Sequence, residues 1–179
     1  MKDGIEIYFL SENQAKEVFI EDLCQMVNAA YLPAEKGMWM NDFPRTHMDE
    51  MRMFIQQGRV LVAELGGEIV GLVVVQLMVA ERMAVFGMLV SAPYYQKLGI
   101  GTQLIEKVEV WAKAQQLPRL RLELLTPKKW KHPNKEQLKK WYRKIGFRPA
   151  HTEPFENRYP EAAEKLKTPC DFTIWLKDI

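Results

Sequence analysis

A pair of glycines at the mouth of a helix is the part of this sequence best suited to chemistry. Gly99-Ile100-Gly101 follows a strand-like run that Pro93 breaks, and it opens a helical pattern that continues to about Gln116. Glycines let the backbone approach an anion closely, and the first turn of a helix offers N–H groups without intrahelical partners, so the arrangement suits a phosphate. Two nucleotide motifs are excluded. The nucleoside-triphosphate loop needs Gly-Lys followed by Ser or Thr, and neither glycine here precedes a lysine. The dinucleotide fingerprint needs a third Gly or Ala where Leu104 stands.

Other reactive side chains point less clearly. Lys128-Lys129-Trp130-Lys131-His132, followed by Lys135, Lys139, Lys140, Arg143 and Lys144, is either a solvated helix face or a basic rim turned toward phosphates. Cys24 and Cys170 have no C-x-x-C spacing and no His partner at metal spacing, which predicts buried, reduced thiols and no metal. Lys and Arg total 25 against 23 acidic residues, so a net charge of +2 gives no general drive toward nucleic acid. The polar, acidic start Met1-Lys2-Asp3-Gly4-Ile5-Glu6 is unlike a signal peptide, and the longest apolar run, Ile69 to Ala80, is too short to cross a bilayer. These features predict a cytoplasmic protein without a membrane partner.

The elements that must position the glycines follow from periodicity. Ile5 to Leu10 reads as a strand, and Ser11 with Gln14 forms a capping-box pattern before Ala15, Val18, Phe19, Leu23, Met26 and Val27 at helical spacing. Tyr31-Leu32-Pro33 should end that helix. Thr46 can cap a second one, His47 to Gln57, stopped by Gly58. Val60 to Leu65, the turn Gly66-Gly67, Ile69 to Val79 and Met83 to Val90 predict an antiparallel meander. After the glycine helix come a strand at Leu120 to Leu125, a helix from Lys135 to Lys144 ended by Gly146, a strand from Phe147 to about Phe155, a short helix at Tyr159 to Leu166, and a strand at Cys170 to Lys177. This order predicts an α/β (α+β) fold in one domain over 1–179, with a mixed, mostly antiparallel central sheet flanked by helices.

Two segments together resemble a known family. Gln96-Lys97-Leu98-Gly99-Ile100-Gly101-Thr102 resembles the Q/R-x-x-G-x-G/A motif of the GNAT superfamily of N-acetyltransferases, and Trp141-Tyr142-Arg143-Lys144-Ile145-Gly146-Phe147 is similar to its Y-x-x-x-G-F segment. The element order extends the resemblance over nearly the whole chain. It implies acetyl-CoA as co-substrate. Backbone groups near Leu89 and Val90 would bind the pantetheine arm, and Gln96, Lys97, Leu98, Gly99, Ile100, Gly101 and Thr102 would wrap the diphosphate. Many members carry an Asn near the pantetheine seven residues before the tyrosine. Lys135 holds that position here, and Asn134, one residue earlier, is the candidate.

Acetyl transfer to an amine asks for a neutral acceptor, a donor for the developing oxyanion, and a proton for the departing thiolate. The resemblance puts the Tyr142 hydroxyl beside the sulfur, where it would act as the acid. Glu123, in a strand between Leu122 and Leu124, is turned to the opposite face from both and is the candidate base; Glu81 and His132 are alternatives, and a salt bridge with Arg121 is the competing role. By analogy the acceptor lies near the first two helices and their loop, which carries Met38, Trp39, Met40, Phe43 and Arg45. Trp39 would wall a pocket for a small-molecule or peptide amine, and Arg45 would grip a carboxylate or phosphate. Neither cysteine is near the motifs, which predicts direct attack in a ternary complex. A non-catalytic acyl-CoA sensor on the same fold is the alternative, and a nucleic-acid binder using Lys128 to Lys144 is a third. A monomer and a homodimer are equally compatible with the sequence.

Overall fold

Alternating apolar side chains and the Gly66-Gly67 turn fold the middle of the chain into a three-strand meander, and every other element is placed against it. The computed structural model describes residues 4–14, 16–95 and 98–179. Along the chain run β1 (Glu6–Phe9), α1 (Glu17–Ala34), α2 (Met48–Gln56), β2 (Val60–Leu65), β3 (Glu68–Met78), β4 (Met83–Ser91), α3 (Ile100–Ala114), β5 (Arg119–Pro127), α4 (Pro133–Lys144), β6 (Arg148–Pro154), α5 (Pro160–Ala163) and β7 (Cys170–Asp178). The seven strands make one sheet in the order β1-β2-β3-β4-β5-β7-β6. Its pairs are antiparallel except β4–β5, which the α3 crossover makes parallel. This is the mixed, mostly antiparallel sheet flanked by helices that the element order predicts.

Strand alternation sends side chains to two cores. Leu61, Val73, Val75, Phe86, Leu122 and Leu124 pack with Leu104, Ile105 and Val108 of α3 and Tyr142 of α4. On the other face Val60, Val62, Leu72, Val74 and Val90 pack with Ile20, Leu23 and Val27 of α1 and Met51 and Phe54 of α2. A smaller cluster of Met38, Leu125, Phe155, Cys170 and Phe172 extends that second face beyond β5. Leu104 is fully buried, so Leu104→Ala would cost about 2–5 kcal/mol. Gly71 sets how closely α3 sits. A Cβ there would stand 2.7 Å from the Ile100 side chain and 2.9 Å from the Val90 carbonyl, so any larger residue pushes the first turn of α3 off the sheet. The edge strand β6 carries Pro149 and Pro154, which suits an unpaired edge.

Three boundaries differ from expectation. Ser11 does bond Gln14, through its N–H at 3.0 Å and its hydroxyl at 2.8 Å, but this closes only the 3-10 turn Glu12–Gln14. The α-helix begins at Glu17 instead. His47, not Thr46, caps α2: it is extended (φ −136°), and its ring nitrogen accepts from the Glu50 N–H at 3.3 Å. Thr46 instead donates its hydroxyl to the Glu50 carboxylate. Pro33 lies inside the last turn of α1, where it removes one helical N–H donor just before the helix ends, and the Glu35 N–H still reaches the Tyr31 carbonyl at 2.9 Å. Both cysteines are buried and unpaired, as expected, and burial pushes the Cys170 thiol up to about 11. No helix among the described residues is long and apolar enough to cross a membrane.

Candidate active site

The sheet is open between β4 and β5. Their ladder pairs only Ala84 with Leu120 and Val85 with Arg121, after which β4 runs on to Ser91 and β5 to Pro127 without pairing. The outer edges of both strands remain occupied, β4 by β3 and β5 by β7. Each therefore turns one unpaired backbone edge toward the gap, and such edges call for a partner. Beside the gap β4 is bulged: Leu72 pairs with Val90 and Val74 with Gly87, so Val73 faces both Met88 and Leu89. Met88 has φ +50°, a left-handed conformation costing about 1–2 kcal/mol for a non-glycine residue. Strain of this kind gathers at functional sites. Leu89 and Val90, the expected pantetheine partners, lie on this edge.

At the end of β4 the chain turns into α3 through Gly99, whose φ of +74° favours glycine. No side chain caps the helix, and its first intrahelical bond runs from the Gln103 N–H to the Gly99 carbonyl at 3.0 Å. The N–H groups of Ile100, Gly101 and Thr102 are thus left without intrahelical partners, a seat for an anion. The Gln103 amide donates to the Leu98 carbonyl at 3.3 Å and braces the loop. Gln96 and Lys97 lie outside the described residues. A Cβ at Gly101 would stand 3.5 Å from the Trp141 ring, which brings α4 alongside the start of α3.

Tyr142 lies on the α3 side of the sheet, 7% exposed, with ring contacts to Trp141 (4.9 Å), Phe147 (5.9 Å) and Trp175 (6.4 Å). Burial, with a smaller contribution from the Tyr31 phenol, raises its pKa well above the usual tyrosine range, so the hydroxyl keeps its proton at neutral pH.

Glu123 faces the other way. Register and alternation put Val85, Gly87, Arg121 and Glu123 on the face that α1 and α2 cover. There the Glu123 carboxylate takes a hydrogen bond from Arg121, accepts from the Tyr159 hydroxyl at 3.2 Å, and lies 3.6 Å from Arg158. The expected salt bridge with Arg121 is present. Arg121 is buried and its Nε has no hydrogen-bond partner among the described residues. Burial, then the Glu123 charge, raises the Tyr159 pKa. Gly87 is exposed, with open space where a Cβ would stand, so the floor beside Glu123 is clear.

The loop after α1 walls this face. Trp39 stacks on Phe43 (5.6 Å) and meets Phe155 edge-on (5.9 Å). Exposed Arg45 sits 5.4 Å over the Tyr31 ring and has no carboxylate partner among the described residues. Burial raises the Tyr31 pKa; the Arg45 charge opposes it, Glu35 adds to it, and hydrogen bonding with Arg45 and the Met88 backbone lowers it.

Other candidates lie elsewhere or are committed. Glu81 is in the turn before β4, and at about 3.4 Å per residue it stands some 20 Å or more from Leu89. His132 is buried as the N-cap of α4, its ring nitrogen accepting from the Asn134 N–H at 3.2 Å. Burial, then Lys135, lowers its pKa, against Glu35 and a Lys36 backbone bond. Asn134 is half-buried and contributes that backbone N–H, with no hydrogen bond from its side chain among the described residues. Lys135 corrects the solvated-face reading of the lysine run: it is 4% exposed and donates to Glu35 at 2.7 Å. Sequence reasoning missed Tyr31, Glu35, Arg158 and Tyr159; their only signal was a polar residue in an otherwise structural context. Two depressions, about 290 Å³ beside Arg59 and Trp111 and about 470 Å³ beside Tyr8 and Phe19, lie away from the gap. No group of three His, Cys, Asp or Glu among the described residues could hold a metal.

An open parallel seam running into an uncapped helix start fits the fold that the two motifs imply, and comparison with known proteins shows the family. Residues 56–149, more than half of the chain and including the seam, match the acetyltransferase (GNAT) domain family. The chain belongs to the GNAT acetyltransferase family. Among solved structures it is similar to a GNAT family acetyltransferase from Elizabethkingia anophelis with acetyl-CoA bound, at 18% identity over 99% of each chain and a TM-score of 0.67. It is also similar to the PaiA N-acetyltransferase of Thermoplasma acidophilum in complex with coenzyme A, at 16% identity over 98% of this chain and 99% of that one, TM-score 0.69. Ribosomal-protein-alanine N-acetyltransferase from Brucella melitensis shares 17% identity over 97% of this chain and 99% of its own, TM-score 0.66. At such identities the likeness is one of fold. Among curated protein sequences none matches the chain.

Proposed function

We propose that this protein, as one domain over residues 1–179 and in the cytoplasm, transfers the acetyl group of acetyl-CoA to a primary amine of a small molecule or peptide by direct attack in a ternary complex. The observation that carries the reading is the seam between β4 and β5, with two unpaired backbone edges leading to three N–H groups at the start of α3 that have no intrahelical partner. It fits the co-substrate part by part. The amide-rich pantetheine would lie along Leu89 and Val90 as a strand-like partner, and the diphosphate would take the N–H groups of Ile100, Gly101 and Thr102. Bound there, acetyl-CoA supplies the thioester.

Free alkylamines have pKa values of about 10.4, so the acceptor must lose a proton. Glu123 receives it, through water because Arg121 and Tyr159 already occupy its oxygens. As the amine nitrogen bonds the carbonyl carbon, a backbone N–H at the Met88 bulge steadies the oxygen. The C–S bond then breaks, and Tyr142 gives its proton to the sulfur and regains one from solvent. Burial raises the pKa of both thiols and so keeps them protonated, which argues against a cysteine nucleophile. Arg45, exposed and without a carboxylate partner among the described residues, binds an anionic group of the acceptor.

Thiol release from acetyl-CoA across a panel of small amines and peptides tests the reading. At least one acceptor should give release that depends on the amine and needs no added metal. Tight acetyl-CoA binding without release for any amine would instead indicate a sensor.

A further inference from the structure

Glu35 and Lys135 form a buried ion pair that transfer chemistry does not use. They are 9% and 4% exposed, and Lys135 Nζ donates to Glu35 Oε1 at 2.7 Å. Burying both charges costs more than their attraction returns unless further hydrogen bonds complete the arrangement, and an apolar pair of similar volume is often at least as stable. Stability alone therefore does not account for the pair, whereas its partners do.

The second carboxylate oxygen of Glu35 accepts from the Trp39 indole N–H at 2.5 Å. Trp39 is the centre of the acceptor-side wall, stacked on Phe43, edge-on to Phe155 and bridged through its backbone to Leu166. On the other partner, Lys135 and Tyr142 are the two buried residues of α4. They are two turns apart and so share one helix face. Glu35 ends α1, which packs on one face of the sheet, while Tyr142 belongs to the core of the other. The ion pair thus joins the two faces just past the open end of β5.

We propose that Glu35 and Lys135 are positioning residues, whose ion pair fixes the Trp39–Phe43 wall against the helix that carries Tyr142 and so sets how the acceptor amine is held. The proposal rests on the acetyltransferase reading. It is tested with Glu35→Gln/Lys135→Met, which removes both charges at nearly constant volume and avoids the unpaired buried ion that Lys135→Met alone would leave.

The double variant should stay folded, by melting, and bind acetyl-CoA in calorimetry with Kd within about twofold of wild type, while acceptor KM rises about tenfold or more and kcat falls. Lys135→Arg, which keeps charge and donor, should keep most of the wild-type acceptor KM. Unchanged acceptor KM in the folded double variant, or equal rises in acceptor KM and acetyl-CoA Kd, would overturn the proposal. If the wild type turns over no amine, the acetyltransferase reading fails, and the Trp39 indole N–H resonance, assigned with Trp39→Phe, decides the role of the pair. Broadened or multiple signals in the double variant support positioning; one sharp signal, even if shifted, refutes it.

Discussion

Tyr142 packs against one face of the sheet and Glu123 projects from the other, so the proposed acid and base stand on either side of the gap. Tyr142→Phe removes one oxygen and keeps every ring contact. If the phenol protonates the sulfur, kcat should fall by about 10²–10⁴-fold while acetyl-CoA Kd and melting temperature stay close to wild type. An acyl donor with a more acidic thiol should partly rescue it. Near-normal kcat at saturating acceptor would remove Tyr142 from the chemistry. Glu123→Gln keeps one acceptor oxygen, enough for Arg121, and turns an amide donor to the Tyr159 oxygen, but cannot take up a proton, so kcat/KM should drop roughly 10²-fold or more, most at low pH where free amine is scarce. An unaltered pH–rate profile would leave Glu123 as a partner of Arg121 only. For Arg45→Ala, a rise in acceptor KM without a rise in acetyl-CoA KM is expected, worth about 1.5–3 kcal/mol for a lost charge-assisted bond. Equal effects on both substrates would make Arg45 structural. Glu123 and Tyr142 could be picked out from sequence, one by alternation and one by motif. Tyr159 could not, because its bond to Glu123 joins positions 36 residues apart.

Helix α4 carries both the Tyr142 end and the His132 cap, and the cap predicts a pH response. His132 is buried and its pKa is lowered, chiefly by burial and then by the Lys135 charge, with Glu35 and the Lys36 backbone opposing. A histidine with a depressed folded pKa contributes stability that is present above the unfolded value of about 6.5 and is lost as pH falls below it toward the folded value, because the unfolded chain takes the proton first. His132→Asn keeps an N-cap acceptor and removes the titration. Melting temperatures should therefore converge or cross as pH drops from neutrality below 6.5, the wild type falling faster. Parallel melting curves down to pH 5 would show that His132 is not protonated on unfolding. Periodicity located the five α-helices of the described residues but not what α4 buries. Lys135 sits in a lysine run and reads as solvated, and the carboxylate that buries it is 100 residues away. The start of α1 was obscured for a different reason: Ser11 and Gln14 satisfy each other in one turn without propagating a helix.

For the whole molecule, the strands of the meander and the glycine-led crossover were legible, because a strand followed by a helix and a strand returns parallel. The parting of β4 from β5 was not. It accompanies the bulge around Met88, a distortion of the kind that bends a strand and raises its twist, and such pairing between distant strands is encoded by no local run of residues. That seam is the central claim, and hydrogen exchange with and without acetyl-CoA tests it most directly. Protection should appear at those amides of residues 86–91 that point to the seam and not to β3, and at 98–102, around the start of α3, with little change around Arg59 and Trp111 or around Tyr8 and Phe19. Protection confined to either of those depressions, or none at saturating acetyl-CoA, would contradict the assignment of the seam as the coenzyme's seat.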